Sequence, residues 1–184
     1  MKTKKIMRKE ILDIRIQLEE SDRIKKSAVI CNNIMNRPEY RDADTIFCYI
    51  STKGEVDMSL LIKDAWKNGK KIAVPKIQNG IMNFYYIYSF EELVCGTYQI
   101  MEPHAVCEAA VIDSKNPIVI VPGIAYDRTK NRIGYGAGYY DKYFSEYPSI
   151  YKIAPAFDLQ IVDSIMTEDC DIKMNVIITE SQYY

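Results

Sequence analysis

The sequence predicts an α/β layered fold with a mostly parallel central sheet, on three observations. Short runs rich in Ile and Val alternate with amphipathic helical stretches along the whole chain. One run, Pro117 to Val121 (PIVIV), is apolar throughout, as strands buried on both faces of a parallel sheet are. The 184 residues, 48% apolar and 27% charged, suit one domain over 1–184 with a substantial core.

Met7, Ile11, Ile14 and Leu18 recur at spacings of four, three and four, so residues 4–20 read as an amphipathic helix. Lys4, Lys5, Arg8 and Lys9 lie near its start and oppose the helix dipole, which solvation or a bound anion would offset. Ser21 is expected to cap a second helix that runs to about Met35 and ends before Pro38. Thr45 to Ile50 (TIFCYI) reads as a strand. Asp57 is expected to cap a third helix holding Leu60, Leu61, Ala65 and Trp66, with Gly69 as its stop. Lys71 to Val74 follows as a strand ended by Pro75, which completes a β-α-β unit. Asn83 to Tyr88 is a further strand, and Ser89-Phe90-Glu91-Glu92 reads as a capping box opening a short helix over Glu91 to Val94. After PIVIV the chain turns at Pro122-Gly123. A helix from about Gly138 to Glu146 and strands at Ile150 to Pro155 and Asn175 to Thr179 complete the series.

Composition excludes several classes. Lys and Arg number 24 against 25 Asp and Glu, and 8 Gly with 7 Pro are few, which argues against disorder, collagen and supercharged nucleic-acid binders. No apolar run reaches the ~18 residues of a membrane span, and no secretory signal is readable, so the expected compartment is the cytoplasm and no membrane partner is expected. Five cysteines without a C-x-x-C spacing, with one histidine (His104) in the chain, disfavour a disulfide framework and a structural zinc site. They read as mostly buried thiols. Residues 1–30 carry nine basic against five acidic side chains, whereas residues 155–184 carry one basic against six acidic. Such a head and tail either meet around a polyanion and its cation or form two solvated faces, the second being the simpler reading.

The densest chemical signal is Arg132-Ile133-Gly134-Tyr135-Gly136-Ala137-Gly138-Tyr139-Tyr140-Asp141, which follows the apolar strand and opens into a helix. Glycines at alternate positions permit positive φ and expose backbone N–H groups at a helix N-terminus, the geometry that cradles phosphate. Arg132 adds a bidentate clamp. The spacing is neither G-x-G-x-x-G nor the P-loop, so a phosphate loop and a plain glycine-rich turn both remain open on these residues alone. Seven tyrosines between Tyr126 and Tyr151 suggest a second class, a single-strand nucleic-acid module. The segment's four basic against three acidic residues supply no electropositive groove, so no nucleic-acid partner is expected. A catalytically silent nucleotide-binding module is a third class. Read singly, Glu55 belongs to a capping turn, Asp141 complements a helix dipole and Asp171 is a loop charge.

RIGYGAGYYDKY resembles the signature of the 5-formyltetrahydrofolate cyclo-ligase (5,10-methenyltetrahydrofolate synthetase) family. The likeness extends to Lys4-Lys5-Ile6-Met7-Arg8, Gly54-Glu55-Val56-Asp57, Val74-Pro75, Met82-Asn83-Phe84, Glu102-Pro103, Val121 to Asp127, Gln160 and Asp171. It implies a Rossmann-like fold and ATP-dependent ring closure of 5-formyltetrahydrofolate with Mg²⁺ required. By position it implies that Lys4, Lys5, Arg8, Arg132, Gly134, Tyr135, Gly136, Gly138, Tyr139 and Tyr140 bind ATP. Ile50, Glu55, Tyr135, Gly136, Ala137, Gly138 and Tyr139 would bind the folate, Arg132 and Tyr140 would be catalytic, and Asp141 and Asp171 would hold Mg²⁺. A monomer is expected. The chain departs from the pattern at Ala137, where a basic residue is common, and at Cys170 and Asn175, where His and Asp are common.

Overall fold

The computed structural model describes residues 2–96, 100–112 and 116–184. Its elements are α1 (Lys4–Ile16), α2 (Glu20–Met35), α3 (Pro38–Asp42), β1 (Thr45–Cys48), α4 (Ser59–Lys67), β2 (Lys71–Gln78) and β3 (Ile81–Ile87). There follow β4 (Leu93–Cys95), β5 (Met101–Pro103), β6 (Ile118–Ile120), β7 (Ala125–Asp127), β8 (Arg132–Ile133), α5 (Tyr139–Glu146), β9 (Tyr151–Pro155), β10 (Ile161–Val162) and β11 (Val176–Ile178).

Six strands form the central sheet in the order β11-β9-β6-β1-β2-β3. Every neighbouring pair is parallel except the β2–β3 hairpin. The PIVIV run supplies β6, buried at all three positions beside β1, which is buried at all four. Apolar side chains on both faces are what a sheet covered on both sides demands. One core lies between the sheet and the α2 and α4 side, with Ile30, Ile34, Leu61 and Ile62; the other face holds Phe47, Phe84 and Phe144. From β1 the chain winds outward to β2 and β3, then returns to β1's other side as β6. The strand order therefore reverses between β1 and β6, and a crevice opens beyond their carboxyl ends.

Several local expectations are corrected. β2 continues through Pro75 to Gln78, because Pro75 sits opposite Phe84, whose carbonyl bonds Ala110 N instead. A missing proline N–H therefore leaves no gap in that ladder. The hairpin closes at Asn79 and Gly80, with φ of 51° and 76°, as a two-residue turn with both centres at positive φ requires. Ser21 lies inside α2 rather than capping it; Glu20 and Asp22 favour that helix start through its dipole. Ser89 makes no side-chain cap, and Phe90–Glu92 is a single 3₁₀ turn leading into β4, which pairs with β5. Asp57 does accept a hydrogen bond from Ser59 N at the start of α4, at 2.9 Å. The amphipathic stripe of α1 is rotated: Met7, Ile11 and Arg15 are buried while Ile14 is exposed. Of the five cysteines, Cys31 and Cys48 are fully buried, Cys107 is half-buried, and Cys95 and Cys170 are exposed. Burial pushes the Cys31 thiol up to about 12. No described helix is long and apolar enough to cross a membrane.

Candidate active site

A cleft of about 910 Å³ occupies the switch point. Its walls are the segment after β1 (Tyr49, Ile50, Thr52, Glu55), the hairpin (Pro75, Ile77, Met82), the glycine loop 134–138 with the start of α5, one face of α1 (Lys4, Arg8) and residues 168–172. One side is apolar and the other charged. Pockets with that division suit a ligand holding both an aromatic body and an anion.

β8 delivers Arg132 to the cleft. The turn before it is wound around the buried Asp127 carboxylate, which accepts from Thr129 N (2.9 Å), Thr129 Oγ1 (2.8 Å), Asn131 N (3.1 Å) and Asn131 Nδ2 (2.8 Å). Gln160 secures the other side of the small β10-β7-β8 sheet, donating from Nε2 to the carbonyls of Gly123 and Ile124 at 3.0 Å each. Arg132 is 7% exposed; its Nη1 donates to Pro122 O (3.2 Å) and its Nη2 to Asp141 Oδ2 (2.8 Å). Its Nε has no partner, and neither does the buried Tyr140 hydroxyl. Burial pushes the Tyr140 phenol well up, so it stays protonated as a donor. A buried donor without an acceptor is costly.

The loop's conformation belongs to glycine. Gly136 has φ +105° and Gly138, the N-cap of α5, has φ +69°. Arg8 Nε donates to Gly134 O at 2.8 Å, so α1 braces the loop.

The basic head and acidic tail meet here, against the simpler expectation of two solvated faces. Lys4 Nζ lies 2.5 Å from Asp171 Oδ2 and 3.1 Å from Glu168 Oε1. Burial is the largest single influence and disfavours the charged Asp171 and Lys4, but their mutual hydrogen bond, the contacts each makes to Glu168 and the charge attraction together outweigh it, lowering the Asp171 pKa and raising that of Lys4. Asp141 Oδ1 accepts from Ile172 N at 3.2 Å, so the two acids read as metal ligands, 30 positions apart, belong to touching segments. Among the described residues no group of three or more His, Cys, Asp or Glu forms a ready-made metal cage. An ion held at Asp141 and Asp171 would need further ligands from solvent or substrate. Lys5 is exposed and absent from the cleft wall. Lys4 and Arg8 are four apart and share a helix face, whereas Lys5 is rotated about 100° from Lys4. His104 is exposed on a turn, its Nδ1 accepting from Val106 N at 3.3 Å.

Glu55 is buried and clamped. Its Oε2 accepts from Thr52 N (2.8 Å) and Thr52 Oγ1 (2.9 Å), and its Oε1 accepts from the Tyr135 hydroxyl. That hydroxyl accepts in turn from Arg15 Nη2 at 2.9 Å. Burial and the adjacent Glu55 charge raise the Tyr135 pKa, so the phenol remains a donor. Apart from Lys5, every residue that the resemblance assigns to the site, Ile50, Ala137 and Tyr139 included, lines the same cleft. Sequence reading missed Arg15, Thr52 and the hairpin wall. Arg15 carried a signal as a cation one step from the apolar stripe, and Pro75 and Met82 carried one in the family likeness, while Thr52 carried none.

The sequence model of the 5-formyltetrahydrofolate cyclo-ligase family matches residues 1–180. A relative in Schizosaccharomyces pombe, named "Probable 5-formyltetrahydrofolate cyclo-ligase", is 34% identical over 128 residues, covering 67% of this chain and 63% of that protein's length. The 5-formyltetrahydrofolate cyclo-ligase of Escherichia coli K12 is 29% identical over 157 residues, 82% of this chain and 86% of its own. The NMR structure of the 5,10-methenyltetrahydrofolate synthetase of Aquifex aeolicus superposes with a TM-score of 0.86 at 29% identity, covering 98% of this chain and 91% of that one. Sequence match, fold and a cleft at the switch point agree: the chain belongs to the 5-formyltetrahydrofolate cyclo-ligase family.

Proposed function

We propose that this protein, acting as one cyclo-ligase domain over 1–184, catalyses the ATP- and Mg²⁺-dependent cyclisation of 5-formyltetrahydrofolate to 5,10-methenyltetrahydrofolate, releasing ADP and phosphate. The observation that carries this reading is the pair of buried, unpartnered donors, Arg132 Nε and the Tyr140 hydroxyl, on residues that line a cleft with three loop glycines. Family membership supplies the substrate class.

A formyl oxygen does not leave as oxide. Transfer of the γ-phosphoryl group to that oxygen breaks the bond to ADP and makes it part of a phosphate leaving group. The N10 amine of the same folate then attacks the former formyl carbon, the C–O bond breaks, and phosphate departs with the N10 proton. Both nucleophiles belong to the substrate, so the protein's work is positioning and charge neutralisation. Arg132, Tyr140 and the N–H groups of residues 134–138 bind phosphoryl oxygens, while Lys4 and Arg8 approach from α1. Ile50, Glu55, Tyr135 and the apolar wall of Pro75 and Met82 take the folate, with Ala137 and Tyr139 between the two substrates. Asp141 and Asp171 are the acids for Mg²⁺, which when bound offsets the charge on the phosphates; one or two carboxylates with phosphate oxygens and water are an ordinary set for it.

The test is an absorbance assay for the methenyl product with purified protein. Product is expected only when 5-formyltetrahydrofolate, ATP and Mg²⁺ are all present. Equal turnover without ATP overturns the reading, and binding of both substrates without turnover selects the silent module.

A further inference from the structure

Arg15 breaks the pattern of its own helix. The apolar stripe places Ile14 inward, yet Ile14 is 49% exposed and Arg15 is 3% exposed in its stead. Exchanging a buried isoleucine for a buried guanidinium is unfavourable unless the charge is used, since desolvating it costs more than an apolar side chain of similar length. Positions where local rules are broken are where function is found.

No carboxylate touches Arg15 directly among the described residues. Its Nη1 donates to Gly123 O at 3.2 Å, its Nε is unpartnered, and its Nη2 donates to the Tyr135 hydroxyl. Tyr135 passes the interaction on, donating to Glu55, itself 6% exposed and held from its other oxygen by Thr52. A phenol therefore stands between a buried cation and a buried anion, fixed from both sides. The rest of Tyr135 is not buried: the residue is 51% exposed and lines the cleft, so a rigid aromatic face is presented where an aromatic substrate sits.

We infer that Arg15 is a positioning residue for the folate half of the cleft, acting through the Tyr135 hydroxyl to set both the Tyr135 ring and the Glu55 carboxylate. The inference rests on the proposed function for the identity of the ligand. α1 then serves both substrates, since Lys4 and Arg8 lie on the nucleotide side and Arg15, seven residues beyond Arg8, holds the folate side. Preorganisation of this kind lowers the cost of ordering a site on binding.

The experiment compares wild type with Tyr135→Phe, Arg15→Met, Arg15→Lys and the combinations of each Arg15 variant with Tyr135→Phe. Steady-state constants are read for each substrate, and the 5-formyltetrahydrofolate Kd is read by calorimetry without ATP. Tyr135→Phe and Arg15→Met should each raise the folate KM and Kd roughly tenfold, the effect of losing a hydrogen bond to a charged group, and each should raise the folate KM more than the ATP KM. The Arg15→Met, Tyr135→Phe pair should be no weaker than its worse single variant, because both remove one chain of contacts. Arg15→Lys should recover part of the loss, and only when Tyr135 keeps its hydroxyl. If Arg15→Met does not fold, Tyr135→Phe with Arg15→Lys makes the same comparison. Additive effects, an ATP KM that rises as far as the folate KM, or a neutral Tyr135→Phe would overturn the inference and reduce Arg15 to an anchor for Gly123. A wild-type protein that binds the folate but forms no product defeats the proposed function alone, and the Kd comparison still decides the role of Arg15. A wild type that does not bind the folate defeats both.

Discussion

Arg132 divides its guanidinium unevenly: Nη1 donates to Pro122 O, Nη2 pairs with Asp141, and Nε is buried without a partner. Arg132→Ala should lower kcat by about 10²–10³-fold while changing folate binding little, since the lost interaction grows with charge on the transferring group. Arg132→Lys should recover only part, because a point charge cannot replace the fork. Steady-state kinetics at saturating ATP decide this, and two variants with wild-type kcat would make Arg132 a structural partner of Asp141 only. Gly136 illustrates what residue type shows and what it hides. Alternating glycines in the sequence announce close backbone approach, but the φ of +105° means that any side chain is strained there irrespective of space. A Cβ at Gly136 would also lie 3.6 Å from Arg8 Cζ. Gly136→Val is expected to abolish ATP binding and to destabilise the fold by about 1–3 kcal/mol, read by calorimetric titration and by denaturant midpoint. Unchanged ATP affinity in the folded variant would take the loop out of the site.

At the scale of elements, the β2–β3 hairpin shows how one residue misleads. Pro75 read as a strand end, whereas Asn79-Gly80 between Ile77 and Ile81 was the stronger punctuation and sets the turn. The short helix α3 was equally readable from Pro38 at its first position and Glu39 in its first turn. Arg37 grips the Glu39 carboxylate with Nε at 3.0 Å and Nη2 at 2.8 Å, and these hydrogen bonds hold its pKa down to about 2. A carboxylate depressed on folding adds stability above its unfolded pKa of about 4.3, and that increment is lost as pH falls through about 2. Both partners are one-quarter exposed, so solvent screening keeps the increment small. Thermal midpoints of wild type should therefore exceed those of Glu39→Gln near pH 6, and the two should converge as pH approaches 2. A gap that persists unchanged at pH 2 would show that the ion pair is not its source.

The whole molecule is organised by charge as well as by its sheet. The basic N-terminal helix and the acidic segment before β11 are joined at Lys4–Asp171, and the loop helix is joined to that same segment at Asp141 and Ile172. Asp171 is paired with Lys4 and Asp141 with Arg132, so under the proposed function Mg²⁺ and ATP would have to displace both ion pairs. Asp141→Asn and Asp171→Asn should each raise the Mg²⁺ concentration for half-maximal rate, leaving folate affinity without ATP within about twofold. Because one ion would be shared, the double variant should fall short of the product of the single effects. Full additivity would place the carboxylates in separate roles, and Asp171, beside the departure at Cys170, would be the one to give up.

Apolar periodicity and the PIVIV run were enough to determine the layered α/β fold and the six strands of its central sheet, and the alternating glycines marked the loop after Arg132 while leaving a phosphate loop and a plain turn both open. These depend on local spacing, which a linear sequence carries in full. Lys4 and Arg8 stood out only as cations opposing a helix dipole and Asp171 only as one charge of an acidic tail; resemblance alone joined them in one site, because nothing local ties a helix start to a loop more than 160 residues away. Folding decided that they meet, by carrying α1 across the switch point. It also decided which face of α1 is buried. A period of 3.6 allows either Ile14 or Arg15 to turn inward, and the inward place went to Arg15, where the Tyr135 hydroxyl and Gly123 carbonyl supply partners that exist only in the folded chain.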